Sequence, residues 1–193
     1  MAMNSDSVTA LKEWASVVEA LKDGRQILML RKGGLADVGK SFSVKESEFF
    51  LYPNVTHQEE KHIRPDQRAS IERDPLDKTV HIDTYAVVER ALDVKELAPL
   101  HRLGEYHIWE PSFIDMRFNY KPQNPLWLLL TRAYRLPKTI RLHETDAYRG
   151  CKSWVPLMTR LSTAGATPVL TDAEFVTKVA GVEEALGITG ARA

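Results

Sequence analysis

The stretch LWLLLTRAYRL at residues 126–136 constrains the fold more than any other part of the chain. In its first half both parities are apolar, with Leu128 and Leu130 on one side and Trp127 and Leu129 on the other. A strand with two dry faces belongs in the middle of a sheet, covered from both sides. Farther along, Arg132, Tyr134 and Leu136 continue the first face, while Thr131, Ala133 and Arg135 continue the second. Pro137 allows a bend, and residues 139–143 prolong the strand. A second long strand is predicted at 79–92, where Val80, Ile82, Thr84, Ala86 and Val88 alternate with His81, Asp83, Tyr85 and Val87.

The start of the chain admits two readings. Leu11, Trp14, Ala15, Val18 and Leu21 suit one face of a helix. Asp23-Gly24 followed by a buried run at 26–31 suits instead a hairpin with residues 14–21 as its first strand. The sequence VVEAL at 17–21 is echoed by VVERAL at 87–92, inside the alternating strand, and this echo favours the hairpin. Strands are also predicted at 42–52, ended by Pro53, and at 113–120. Thr56-His57-Gln58-Glu59 reads as the capping box of a short polar helix. Residues 65–75 read as a loop, and 94–103 as a helix capped by Asp93. Thr171-Asp172-Ala173-Glu174 caps an amphipathic helix carrying Phe175, Val176, Val179, Val182 and Leu186.

The expected fold is therefore α+β, with a mixed or mostly antiparallel bent sheet, at its most curled a partial β-barrel, and about three covering helices. Residues 8–160 would make one domain, with a weak internal duplication divided near 65–78, and 161–193 a C-terminal helical extension. The single cysteine, Cys151, excludes an intrachain disulfide. The N-terminal stretch shows no signal peptide, and the longest apolar run, at 126–130, falls far short of the roughly 20 residues of a membrane span. A cytoplasmic protein without a membrane partner is expected, and the oligomeric state stays open.

Charge is unevenly spread. The chain as a whole is neutral, yet from Arg117 to Arg160 nine Lys/Arg face only Glu144 and Asp146. Residues 41–116 show the reverse, fifteen acidic against nine basic. Such polarity points to an anionic partner. Arg117, Arg132, Arg135, Arg141 and Lys152 would supply charge, and Tyr134 or Trp154 a ring for stacking on bases. Arg31-Lys32-Gly33-Gly34, directly after a strand, offers a second anion contact, because paired glycines expose backbone N–H groups beside two cations. It lacks the spaced glycines and Lys-Ser/Thr pair of a phosphate loop. A purely structural pairing of these charges is the plain alternative, with Arg132 neutralised by a carboxylate from the acidic half.

Other chemistry is weaker. The six histidines show no zinc-type spacing, so neither metal nor cofactor is expected. Cys151 and Ser153 flank Lys152 without an ordered base. Glu46 and Glu48 share one side of a strand and, with His57, would suit a metal-dependent phosphodiesterase or nuclease, the alternative function. A protein-interaction subunit that self-associates through opposite charges is a third reading.

The blocks LKEWASVVEAL, GRQILMLRKGG, FFLYPNVTHQ, YHIW, MRF, LTRAYRLP and YRGCKSWVPL, in this order, resemble the bacterial domain of unknown function 1802 family. That resemblance implies kinship over most of the chain and carries no catalytic residues with it. LMLRKGG also looks like the start of a Nudix domain, but the Nudix box is missing, which excludes that hydrolysis. The long strand bending at Pro137 is similar to the closing strands of small RNA-binding β-barrels of the pseudouridine-synthase-associated type. The leading expectation is a binding module for nucleic acid or a phosphorylated small molecule.

Overall fold

A computed structural model describes residues 6–32, 47–55, 58–70, 78–146, 148 and 153–188. Among them lie seven strands and four helices. The strands are β1 (Asp6–Trp14), β2 (Leu28–Lys32), β3 (Glu48–Asn54), β4 (Thr79–Val94), β5 (Leu126–His143), β6 (Trp154–Ser162) and the two-residue β7 (Thr167–Pro168). The helices are α1 (Ala15–Lys22), α2 (Leu97–His101), α3 (Pro111–Asn119) and α4 (Asp172–Leu186). All seven strands join one open mixed sheet in the order β2-β5-β4-β3-β1-β6, with β7 attached to β5. Only β1 with β3 runs parallel; the other pairs are antiparallel.

The expected central strand is β5. Its first half is flanked by β2 and β4, and Leu128, Leu129 and Leu130 are fully buried. Pro137 does not end it. Between the pairs Ile82↔Ile140 and Thr84↔Arg135, β5 spends more residues than β4, and this bulge absorbs the proline, which has no N–H to give to a ladder.

The sheet curls, and a side chain proves it. Arg31 on the edge strand β2 donates to Glu13 and to the carbonyl of Lys12 on β1, each at 3.1 Å. In the sheet β1 lies four strands from β2. At about 4.8 Å per strand a flat sheet would hold them roughly 19 Å apart, beyond the joint reach of two side chains. The concave side encloses α1, whose Ala15, Ser16, Val17, Val18, Ala20 and Leu21 are all buried, in a core shared with Phe113 of α3 and Phe175, Val182 and Leu186 of α4. A second core on the other face gathers Phe50, Tyr52, Ile82, Tyr85, Val155 and Leu157.

Three local expectations are corrected. Residues 15–22 are helix, so there is no hairpin. The helix is buried nearly all round, which erases the polar stripe that normally betrays one. Its Asp23-Gly24 is a helix stop: Gly24 sits at φ +70, and its N–H bonds Leu21 O at 3.2 Å. A Cβ there would lie 2.6 Å from Leu170. The echoing segments 17–21 and 87–92 thus differ in conformation, one in α1 and one in β4. Residues 111–119 are also helix, not strand. Pro111 opens the first turn, where its fixed φ favours a helix, and the chance alternation of Ile114, Met116 and Phe118 imitates period two. Finally, β4 runs on to Val94 because its ladder with β5 continues through Asp93↔Trp127 and Val94↔Leu126, leaving only the short α2 beyond.

Smaller differences concern ends. Pro53 lies within β3, paired with Glu13, and residues 65–70 form a 3-10 helix. The capping box of α4 is present, with Glu174 N–H donating to Thr171 Oγ1 at 3.3 Å and Thr171 N–H to Glu174 Oε2 at 2.8 Å. Among the described residues no helix is long and apolar enough to cross a membrane.

Candidate anion-binding site at the sheet seam

The contact that reveals the curl also organises the best candidate site. The N–H of Lys12 donates to Ser153 O at 2.8 Å, and the carbonyl of the same residue accepts from Arg31 Nη2. In a strand these two groups point the same way. The guanidinium therefore sits just past the start of β6, where the β1–β6 ladder stops. The edge strand β2 is thus tied to β1, beside the start of β6, by a side chain and not by a backbone ladder. Arg31 and Glu13 are well covered, with side chains 9% and 11% exposed.

Trp154 opens β6 opposite Leu11, so it lies on the same face as Leu11 and Glu13. Its ring meets Phe49 edge-on, centroids 5.2 Å apart. On the neighbouring helix, Phe113 packs against Trp14 at 4.8 Å, and Arg117 follows one turn later. Arg117 is half-buried. Burial first, then the nearby Arg31 guanidinium, pull its pKa below the usual arginine range, and Glu13 acts in the opposite direction. Lys32, the last residue of β2, is likewise shifted down by partial burial and by Arg117. Its amine donates to the Phe118 carbonyl and lies 5.4 Å from the centre of that ring.

Among the described residues, Arg31 and Arg117 thus flank the carboxylate of Glu13, and Lys32 lies next to Arg117. Glu13 is spent on Arg31, and Arg117 makes no hydrogen bond or ion pair with any described residue. Glu13 was missed in the sequence. Its signal was a Lys-Glu pair inside the otherwise buried run Ala10–Leu11 and Ala15–Leu21, where charge has to be matched. Lys12 turns to the opposite face, donating to the Tyr148 carbonyl 5.3 Å from the Tyr52 ring centre.

The structure therefore brings together Arg31, Lys32 and Arg117 from the expected set, with Trp154 on the same face of the sheet as Glu13. The others lie elsewhere. Arg132 is bonded to Asp172 at the start of α4 and lies over the Phe175 ring at 5.3 Å. This pairing was foreseen in kind, though its carboxylate comes from the C-terminal helix. Tyr134 is half-buried, and burial raises its hydroxyl pKa. Arg135 is exposed and donates to Lys22 O at 2.7 Å; Arg141 is exposed opposite His81. Lys32 pairs with Leu126, so Arg135 and Arg141 lie nine and fifteen residues along β5. At about 3.3 Å per residue those steps are roughly 30 and 50 Å of strand.

Of the alternative catalytic set, Glu48 accepts from the Tyr85 hydroxyl at 2.7 Å. Glu46 and His57, like Gly33, Gly34 and Lys152, lie outside the described residues. Among the described residues no three His, Cys, Asp or Glu side chains are grouped to hold a metal.

No curated protein matches the chain significantly. Among solved structures it is similar to the crystal structure of ASCH from Zymomonas mobilis, with 14% identity, 89% of this chain and 92% of that one covered, and a TM-score of 0.43. It is also similar to the serine-to-alanine mutant of that protein, with 13% identity, coverage of 93% and 99%, and a TM-score of 0.43. Residues 10–181, from the strand that carries Lys12 and Glu13 into the C-terminal helix, match the family described as Domain of unknown function (DUF1802), and the chain belongs to it.

Proposed function

We propose that the protein is a binding module for nucleic acid or another phosphorylated ligand, and that its anion site is the seam. The observation that carries this reading is the imbalance, among the described residues, of Arg31, Lys32 and Arg117 against the carboxylate of Glu13. A cation partly withdrawn from water and left without a partner is costly, and an anion relieves that cost. Arginine is suited to the task, since its planar fork bonds phosphate through two parallel N–H groups. Arg31 is committed to holding the sheet; Arg117 and Lys32 carry the binding, and Trp154 offers a ring on the same side. A cytoplasmic setting belongs to the same reading.

The test is a titration of the protein with labelled oligonucleotides and with tripolyphosphate over a range of salt. Affinity should fall steeply as salt rises, and Arg117→Ala should lower it about tenfold with the fold intact. No binding at low salt, or an Arg117→Ala variant that binds as well as the parent, would overturn the proposal.

A further inference from the structure

The C-terminal end of α3 carries a feature that a bare phosphate does not need. Tyr120 caps the helix with its side chain half exposed, at 50%, and Met116 one turn earlier is 47% exposed. They are two of only four large hydrophobic side chains so exposed among the described residues, and their i,i+4 spacing makes them neighbours on one face. Cations frame the pair. Arg117 lies three residues before Tyr120, in the last turn of α3. Lys121 places its ammonium 5.3 Å from the Tyr120 ring centre. Lys32 is fixed beside them on the carbonyl of Phe118.

The backbone holds this arrangement at some cost. Lys121 adopts φ +46, a left-handed conformation that a side chain with a Cβ disfavours. The turn is closed by Asn124 N–H on Lys121 O at 2.9 Å, while Tyr120 N–H stays bonded to Met116 O at 2.9 Å.

We propose that this patch selects single-stranded nucleic acid, with an unpaired base stacked on Tyr120 against Met116 and the neighbouring phosphates held by Arg117, Lys121 and Lys32. The inference rests on the anion site proposed above and specifies its partner. A free polyphosphate has no flat apolar face to match an exposed ring, and a duplex hides the faces of its bases. Unpaired bases offer both a π-face and adjacent charge.

The experiment measures binding of a short labelled single strand, of the duplex of the same sequence, and of tripolyphosphate to the intact protein and to Tyr120→Ala, Tyr120→Phe and Arg117→Ala. Tyr120→Ala should weaken single-strand binding by about ten- to 100-fold and leave tripolyphosphate binding unchanged. Tyr120→Phe should restore it, and the duplex should bind less well than the single strand. A Tyr120→Ala variant that binds the single strand as tightly as the parent, or a parent that prefers the duplex, overturns this inference while Arg117-dependent binding of tripolyphosphate leaves the anion site standing. A parent protein that binds none of the three probes overturns both.

Discussion

The two ends of β5 carry similar numbers of basic side chains in opposite conditions. At the Leu126 end, Lys32 and Arg117 are tucked against α3 and the seam, partly out of water and, among the described residues, short of carboxylates. At the His143 end, Lys138 and Arg141 stand exposed on a two-stranded ribbon formed with the start of β4, and Arg135 is exposed where β7 joins β5. The same charge means different things in the two places. Solvated cations cost the fold almost nothing and call for no partner. Cations that have lost part of their hydration without gaining a counterion are held in a state that only a bound anion completes. Arg132 lies between these cases, desolvated on one side and matched by Asp172.

This contrast can be broken most directly at Glu13. Glu13→Ala removes one half of a covered ion pair and leaves Arg31 beside Arg117, so stability should drop by about 3–5 kcal/mol in urea unfolding. A loss below 1 kcal/mol would mean that the Leu126 end is as well hydrated as the other.

A second large effect depends on pH. His107, 4% exposed, accepts from Trp109 N–H at 3.2 Å, and the Trp109 ring stacks on Phe113 of α3. Burial first, then Arg64, push its pKa from 6.5 down to about 4. Below pH 6.5 the unfolded chain takes up a proton there that the folded protein refuses until about pH 4. Stability should therefore fall as pH drops through this window, by up to about 3 kcal/mol from this group. His107→Gln should flatten that part of the profile; urea midpoints at intervals between pH 7 and pH 4 would show whether it does.

Smaller differences sharpen the comparison. In the salt dependence of oligonucleotide binding, Arg117→Ala should reduce the log–log slope by about 0.7, one single-strand phosphate contact, whereas Arg141→Ala should leave it unchanged. Equal slopes in both variants would erase the distinction between the two ends. Arg141→Ala should also alter stability by less than about 0.5 kcal/mol, as expected of an exposed side chain.

What could be read in the sequence follows the range of the forces involved. β4, β5 and α4 were legible because alternation, two-sided apolarity and a capping box are signals written within a dozen residues. α1 was not, since the curled sheet buries all of it but Glu19 and Lys22 and so leaves it no continuous polar stripe. α3 was misread because Pro111, its strongest local signal, was outweighed by an accidental alternation. Arg31, Lys32 and Arg117 were picked out as cations by residue type alone. That Arg31 is spoken for by Glu13, and that Arg117 is not, depends on a curl bringing β2 to β1 across three intervening strands, and no local pattern encodes it.

The guanidinium clasp of β2 onto β1 has a consequence for how this architecture tolerates change. The chain leaves β2 after Lys32 and enters β6 at Trp154, both beside the clasp. Among the described strands no main-chain register links those two rims to each other. Segments of different length can therefore be inserted on either side without shifting any strand by a residue, so the mouth of the molecule is free to diversify while the scaffold beneath it keeps its pairing.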